Sequence, residues 1–149
     1  MAKLIHYKDV PRDVKYEKGL KIDFGVNNAT CGSTQLTMGH TIVPPGSRNM
    51  RHYHKCDACF FVIKGRIRVL MLDGKDYFER DVEPGTFCYA APGEIHGLIN
   101  LSDTEEAELV FAYGGVPNKE AAGTTFVDTQ EVVERHLESK GKKLESVMN

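Results

Sequence analysis

Two histidines separated by a single residue, in the segment Arg51-His52-Tyr53-His54, govern how this chain can fold. Side chains alternate between the two faces of a β-strand, so His52 and His54 project from the same face of an extended segment. Two neighbouring imidazoles on one face can bind a single metal ion. His96 lies in a second segment, Ala91-Pro92-Gly93-Glu94-Ile95-His96, and can complete a three-histidine site. For an isolated pair, two solvated strand residues are the simpler interpretation, so the metal site depends on the spacing of the residues around it.

From Leu36 onward, alternating apolar and polar residues predict β-strands. Leu36, Met38, His40 and Ile42 would share one face of the first of these strands. Residues 58–63 are apolar on both faces, which is typical of a strand between the core and another sheet or subunit. Regularly spaced strands of this kind predict an antiparallel barrel or sandwich. Turns are predicted at Asp73-Gly74, Pro84-Gly85, Pro92-Gly93 and Gly114-Gly115.

The two ends of the chain differ from this β-rich middle. Residues 1–34 form a predicted arm with two short strands, Leu4–Tyr7 and Leu20–Phe24, ahead of a barrel over residues 35–127. Residues 128–149 predict a C-terminal helix and tail. Asp128 is the expected N-cap, with Glu131 completing a capping box, and the helix should end near Gly141. Its apolar stripe consists of Val132, Val133, His136 and Leu137.

Composition narrows the class of protein. At 149 residues the chain is expected to form one domain with a real core, and its net charge of −2 gives no basic surface for nucleic acid. No apolar run reaches the length of a membrane span, and no signal-peptide core follows Met1-Ala2-Lys3. The four cysteines are expected to be reduced. These observations predict a cytoplasmic protein.

The spacing around the histidines matches two motifs in the right order. The first motif is carried by Gly46, His52, His54 and Gly65, and the second by Gly85, Gly93, His96 and Asn100. Through these residues the chain resembles the cupin family over roughly residues 35–113. It departs from the pattern at Ala91, where a proline is expected, and at Ala58, where the family carries a glutamate ligand.

The resemblance implies an all-β fold, an antiparallel cupin barrel of the jelly-roll type with a short C-terminal helix. It implies one divalent metal ion on His52, His54 and His96, and a homodimer, because strands that precede the barrel often cross to a partner in cupins. Without the glutamate, three neutral imidazoles leave the charge of the ion uncompensated, which favours a small polar or anionic substrate.

The expected activity is that of a three-histidine Fe(II) dioxygenase, with Zn²⁺, Ni²⁺ or Mn²⁺ as other candidate ions. A metal-dependent lyase, isomerase or cyclase is an alternative, because fold does not choose among these reactions. A non-catalytic binding module, in which the metal only anchors a ligand, is the third possibility.

Other residues compete for a place at this site. His40, on the strand face with Leu36, Met38 and Ile42, is expected to point inward as a fourth ligand or an acid–base group, and Tyr89 to donate a hydrogen bond to a bound oxyanion. Asp57 adjoins the vacant glutamate position, but a shift of one residue turns it to the opposite face. The C-x-x-C of Cys56 and Cys59 is more simply a turn residue and a packed residue than a zinc or redox pair. The cavity lining is expected to include Phe60 and Val62, with Met50 at its rim.

Overall fold

The computed structural model describes residues 1–144, so residues 145–149 of the predicted tail lie outside the described part. Two helices, α1 (Asn28–Cys31) and α2 (Gln130–Ser139), and a 3-10 turn at Tyr7–Asp9 accompany the sheets. The strands are β1 (Arg12–Asp13), β2 (Lys21–Val26), β3 (Leu36–Val43), β4 (His52–Tyr53), β5 (Ala58–Lys64), β6 (Ile67–Asp73), β7 (Asp76–Val82), β8 (Phe87–Ala90), β9 (His96–Asn100), β10 (Ala107–Gly114) and β11 (Thr125–Phe126).

The strands form two antiparallel sheets. One has the order β1-β2-β3-β10-β5-β8 and the other the order β11-β4-β9-β6-β7. Their inward side chains, among them Ile22, Val62 and Ile67, form one buried core. This is the all-β jelly-roll arrangement that the sequence predicts, and the pairings among residues 1–144 leave it as a sandwich rather than a closed barrel. The hairpin predicted at Asp73-Gly74 joins β6 to β7, with Gly74 at a φ of 63°.

The inward face of β3 is the opposite of the one expected. Thr37, Thr41 and Val43 are buried, whereas Leu36 and Met38 are exposed. Gly39 belongs to the inward set because a Cβ there would lie 2.6 Å from the ring of Phe111. A period of two separates the faces of a strand without saying which face is inside, and on β3 the residues that fit beneath an aromatic ring are small.

The outward face of the six-stranded sheet carries a continuous apolar surface, which we call the outer face. Phe87 on β8 and Ile63 on β5 are 80% and 44% exposed. Two rows of cross-strand neighbours make up this surface: Met38, Ala112, Cys59 and Tyr89 in one, and His40, Val110, Phe61 and Phe87 in the other. On β3, β10, β5 and β8 neither row contains a carboxylate, a lysine or an arginine, and the second row continues past His40 to the ion pair of Asp23 on β2 and Arg12 on β1.

The N-terminal arm is only partly as predicted. The segment Leu4–Tyr7 forms no strand; it leads into the 3-10 turn, where the His6 side chain accepts a hydrogen bond from the Lys8 amide. The predicted strand at Leu20–Phe24 is present as β2 and pairs with β3 of the same chain.

The C-terminal helix is present, but its start differs from the prediction. Thr129 is the N-cap of α2 and makes no side-chain capping bond. Asp128 instead accepts hydrogen bonds from the Arg48 and Arg51 side chains and from the Arg51 amide, at 2.8–3.1 Å. Two guanidinium groups outcompete the helix end for its carboxylate because charge-assisted bonds are stronger. None of the helices within residues 1–144 is both long and apolar enough to cross a membrane.

Candidate metal centre

The two sheet motifs bring the three predicted histidines together. His52 on β4 and His96 on β9 are directly opposite in register, and their ring centroids are 4.4 Å apart. His54, two residues after His52, projects to the same side, with its ring 4.9 Å from that of His52 and 5.1 Å from that of His96. One nitrogen from each ring lies within 4.8 Å of the others, and all three residues are buried. This spacing suits a single ion between them.

Second-layer hydrogen bonds orient each imidazole. Nδ1 of His52 lies 2.8 Å from the carbonyl of Met50, and Nδ1 of His96 lies 3.0 Å from the carbonyl of Glu94. A carbonyl only accepts, so Nδ1 carries the proton in both rings and Nε2 presents a lone pair. Nδ1 of His54 is 2.7 Å from the hydroxyl of Thr124. Metal-binding histidines are held in this way.

Burial keeps these imidazoles neutral. It lowers the pKa of His52 and of His96 to about 4, the latter also through the charge on His52. Burial also lowers the pKa of His54 to about 2, and mutual repulsion with the other two rings adds to the effect. A metal ion at pH 7 therefore meets three unprotonated ligands and displaces no proton from them.

Glu17 is a cavity residue next to the histidines that the sequence analysis did not identify. Its side chain is buried, and Oε1 lies 3.3 Å from Nε2 of His52. Asn49 fixes this carboxylate by donating from Nδ2 to Oε1 at 2.8 Å, while its own Oδ1 accepts from the Leu98 amide at 2.9 Å. The sequence indicated only that the motif lacks its glutamate, because Ala58 stands at that position. It did not indicate which other residue could supply a carboxylate.

The histidines and Glu17 line a small, mostly apolar cavity between the sheets, about 40 Å³ in volume. At about 10–15 Å³ for each water, this volume holds roughly three water molecules. Ala58 and Phe60 line it as expected, so the register that placed Ala58 at the glutamate position is correct. Val62 lies in the core outside this lining, and Met50 packs against α2 with Val133 and Leu137 instead of at the rim.

The structure does not bring His40 to this cluster. The inward direction expected for it is wrong, because His40 lies on the outward side of β3, where Nδ1 is 3.1 Å from Asp23 and the ring is 5.1 Å from that of Tyr7. A buried acid on β2 thus holds the side chain on the far side of the sheet from the three imidazoles.

Tyr89 and Asp57 also lie away from the histidines. Tyr89 is 58% exposed on the outer face, and its hydroxyl donates to Asp57 at 2.5 Å. The inward positions of β8 are taken by Cys88 and Ala90, so alternation turns Tyr89 outward. The four cysteines are free, and burial raises the pKa of the Cys88 thiol to about 11.

Solved structures of known proteins share this fold. The polyketide cyclase RemF from Streptomyces resistomycificus matches with a TM-score of 0.69 at 16% identity, over 100% of both chains. Oxalate decarboxylase from Bacillus subtilis matches with a TM-score of 0.67 at 22% identity, over 99% of this chain and 39% of its own. Peruvianin-I, a cysteine peptidase from Thevetia peruviana latex, gives 0.69 at 16% identity, over 85% of this chain and 78% of its own. Because these proteins have different activities, the similarity establishes the fold of this chain and not its reaction.

The sequence itself identifies the family. No curated protein matches the chain. The family model for the cupin domain, however, matches residues 39–113, which include all three histidines and half of the chain. With the jelly-roll sheets and the two histidine motifs in place, this chain belongs to the cupin family.

Proposed function

We propose that this cupin is a metal-dependent enzyme that acts on a small polar or anionic organic molecule, with Fe(II)-dependent dioxygenation as its reaction. The observation that carries the proposal is the convergence of three imidazoles in a small, largely apolar cavity. The donor set fits a divalent ion, because the carbonyls of Met50 and Glu94 leave Nε2 of His52 and His96 free to bind.

Three protein ligands leave positions open on an ion, as catalytic sites do, and an ion that takes six ligands keeps open positions even with a fourth protein ligand, whereas a tetrahedral structural site is closed by four. A bound divalent ion would supply Lewis acidity, or redox chemistry with oxygen if it is Fe(II). Imidazole suits Fe²⁺, Zn²⁺ and Ni²⁺, and a nearby carboxylate extends the range to Mn²⁺.

The cavity limits the substrate. Room for roughly three waters admits the reactive end of a small molecule and little more. Among residues 1–144 no lysine or arginine lines it, so the positive charge that attracts an anion would be that of the ion itself. We propose a small carboxylic acid as substrate. Oxalate is a reasonable first compound to test, because oxalate decarboxylase shares this fold. Four free thiols suit a reducing compartment, and we propose a cytoplasmic location on that ground.

Lewis-acid chemistry by a lyase, isomerase or cyclase is the second candidate. The full-length match to a polyketide cyclase favours it. The protein residues would then position the substrate and handle protons, with no use of oxygen. Glu17 is the carboxyl side chain in the cavity lining that is available for that role.

Reconstitution separates these candidates. Metal-free protein is loaded with Fe(II) or Zn(II) and assayed with oxalate, glycolate and a panel of small enolisable and phenolic acids, while oxygen is recorded. A dioxygenase turns over substrate only as the iron form and consumes oxygen in proportion. Equal anaerobic turnover by the zinc form would replace the dioxygenase with the Lewis-acid enzyme. Tight ligand binding without turnover by either form would indicate a binding module.

A further inference from the structure

We propose that Glu17 is a direct fourth ligand of the metal, supplied by a turn before the barrel instead of by the strand position that Ala58 occupies. This inference rests on the proposed metal centre and concerns how that centre is completed. Glu17 lies outside the matched segment, residues 39–113, so no motif places it at the site.

The contact between Glu17 and His52 requires something positive between the two groups. Nε2 of His52 presents a lone pair, because its Nδ1 proton is directed at the Met50 carbonyl. A carboxylate oxygen is also an acceptor, and it faces this lone pair at 3.3 Å. Two acceptors buried face to face repel unless a proton or a cation lies between them.

The distance suits a shared metal ion. Two ligands each about 2.1 Å from one ion lie about 3.0–3.4 Å apart when the angle between them is about 90–110°. The separation of 3.3 Å between Oε1 and Nε2 of His52 falls in that interval. Within residues 1–144, the group of ligand atoms that all lie within 4.8 Å of one another contains only the three histidines, so the Glu17 side chain has to move towards His54 and His96 when it binds the ion. A direct hydrogen bond between a carboxyl group and an imidazole is shorter, about 2.7–3.2 Å, as in the pair His40 and Asp23 at 3.1 Å.

The turn that carries Glu17 is anchored by specific contacts. The Leu20 amide bonds to the Glu17 carbonyl at 3.1 Å, and the Ser47 hydroxyl donates to the Gly19 carbonyl at 2.7 Å. Gly19 has a φ of 91°, and a Cβ there would lie 2.0 Å from the Arg48 carbonyl oxygen. Only glycine allows this approach, so the turn is seated tightly on the segment that precedes β4.

A bound carboxylate changes the charge of the centre. Three neutral imidazoles leave a divalent ion at +2, and Glu17 reduces that to +1. One carboxylate of a substrate then completes neutrality in a cavity whose lining includes no lysine or arginine.

Glu17→Gln tests the assignment without changing the size of the side chain. The atom in the Oε1 position both accepts from Asn49 and faces Nε2 of His52, so the amide can satisfy one of these contacts and not both. Thermal unfolding of the metal-free variant therefore serves as a check that it still folds. As a ligand, however, a neutral amide is much weaker than a carboxylate. Loss of an outer hydrogen-bonding partner already weakens metal binding about 10–100-fold, so we expect at least about 100-fold weaker Zn(II) and Co(II) binding. The visible spectrum of the Co(II) form should also change.

Asp23→Asn is the matched control, since Asp23 is also buried but bonds Arg12 and His40 on the other side of the sheet. It should lose stability and keep the parental metal affinity and Co(II) spectrum. Affinities are measured by competition with a chromophoric chelator. Parental Co(II) affinity and spectrum in Glu17→Gln would overturn this inference and leave the proposed function standing. A parent chain that binds neither ion would overturn both, and normal metal binding without turnover would overturn only the proposed function.

Discussion

Lowering the pH from 7 to 5 should destabilise the metal-free protein through its buried histidines. Burial lowers the pKa of His52 and His96 to about 4 in the folded state, from 6.5 when they are exposed. Between pH 6.5 and pH 4 the unfolded chain binds a proton at each residue and the folded chain does not. The free energy of unfolding therefore falls as the pH falls through this window. His54 contributes in the same direction.

The size of this loss follows from the width of the window. A pH of 5 lies 1.5 pH units below 6.5, and each unit lowers the free energy of unfolding by about 1.4 kcal/mol for each histidine. The loss is therefore about 2 kcal/mol for His52 and about 2 kcal/mol for His96. Glu17 opposes them, because burial raises its pKa and protonation of its carboxyl group favours the folded state. A net loss of about 2–4 kcal/mol is a large part of a typical stability of about 5–15 kcal/mol. Asp23 and Asp128 do not interfere, since their pKa values are lowered from 3.8 and their stabilisation is lost only below that pH.

Urea unfolding of chelator-treated protein at pH 7, 6 and 5 measures this loss. His52→Gln and His96→Gln should each remove about 2 kcal/mol of the pH dependence. Zinc-loaded protein should resist acid better, since a bound ion keeps the imidazoles deprotonated. Equal unfolding free energies at pH 7 and pH 5 in the metal-free chain would refute the reasoning, as would an undiminished loss in both site variants.

Three further predictions address the site and the surface. The double change His52→Ala/His54→Ala should abolish stoichiometric metal binding, and full occupancy by elemental analysis would contradict the three-histidine centre. Ala58→Glu should keep metal binding as tight as in the parent or tighter while weakening that of small anions such as glycolate; unchanged binding of both in calorimetry would show that residue 58 does not reach the ion. We propose that the outer face joins two copies of this chain, because its two uncharged rows can meet a second copy without like-charge repulsion. Sedimentation should then show a dimer that Phe61→Glu/Phe87→Glu converts to a monomer, and a monomeric parent would exclude it.

The part of the site that the sequence predicted is the part built from local geometry. His52 and His54 share a face because strand side chains alternate, and the second motif places His96 opposite His52. In both His52 and His96, the Nδ1 partner is the carbonyl two residues earlier, so these rings are oriented by their own strand segments. Such short-range relations can be read from spacing alone.

The errors come from contacts between residues distant in sequence. His40 turned outward because the small residues of β3 fit beneath Phe111, a partner on β10 that no periodicity identifies. Asp128 does not cap the helix because its carboxylate accepts hydrogen bonds from Arg48 and Arg51, which lie just before β4. Glu17 reaches His52 across 35 positions of chain through a turn that reads in the sequence as an ordinary charged stretch.

The position of the carboxylate has a consequence for the cavity. Ala58 lines a space of about 40 Å³, roughly three waters by volume. A glutamate at that position would add one methylene and a carboxylate, four heavy atoms, to a space of about three waters. A carboxylate supplied by Glu17 instead enters from the turn before β2 and leaves the space beside Ala58 empty. A glutamate at position 58 would compensate the charge of the ion but would fill the space that a substrate needs. A carboxylate from the turn before β2 can compensate the same charge and leave that space free.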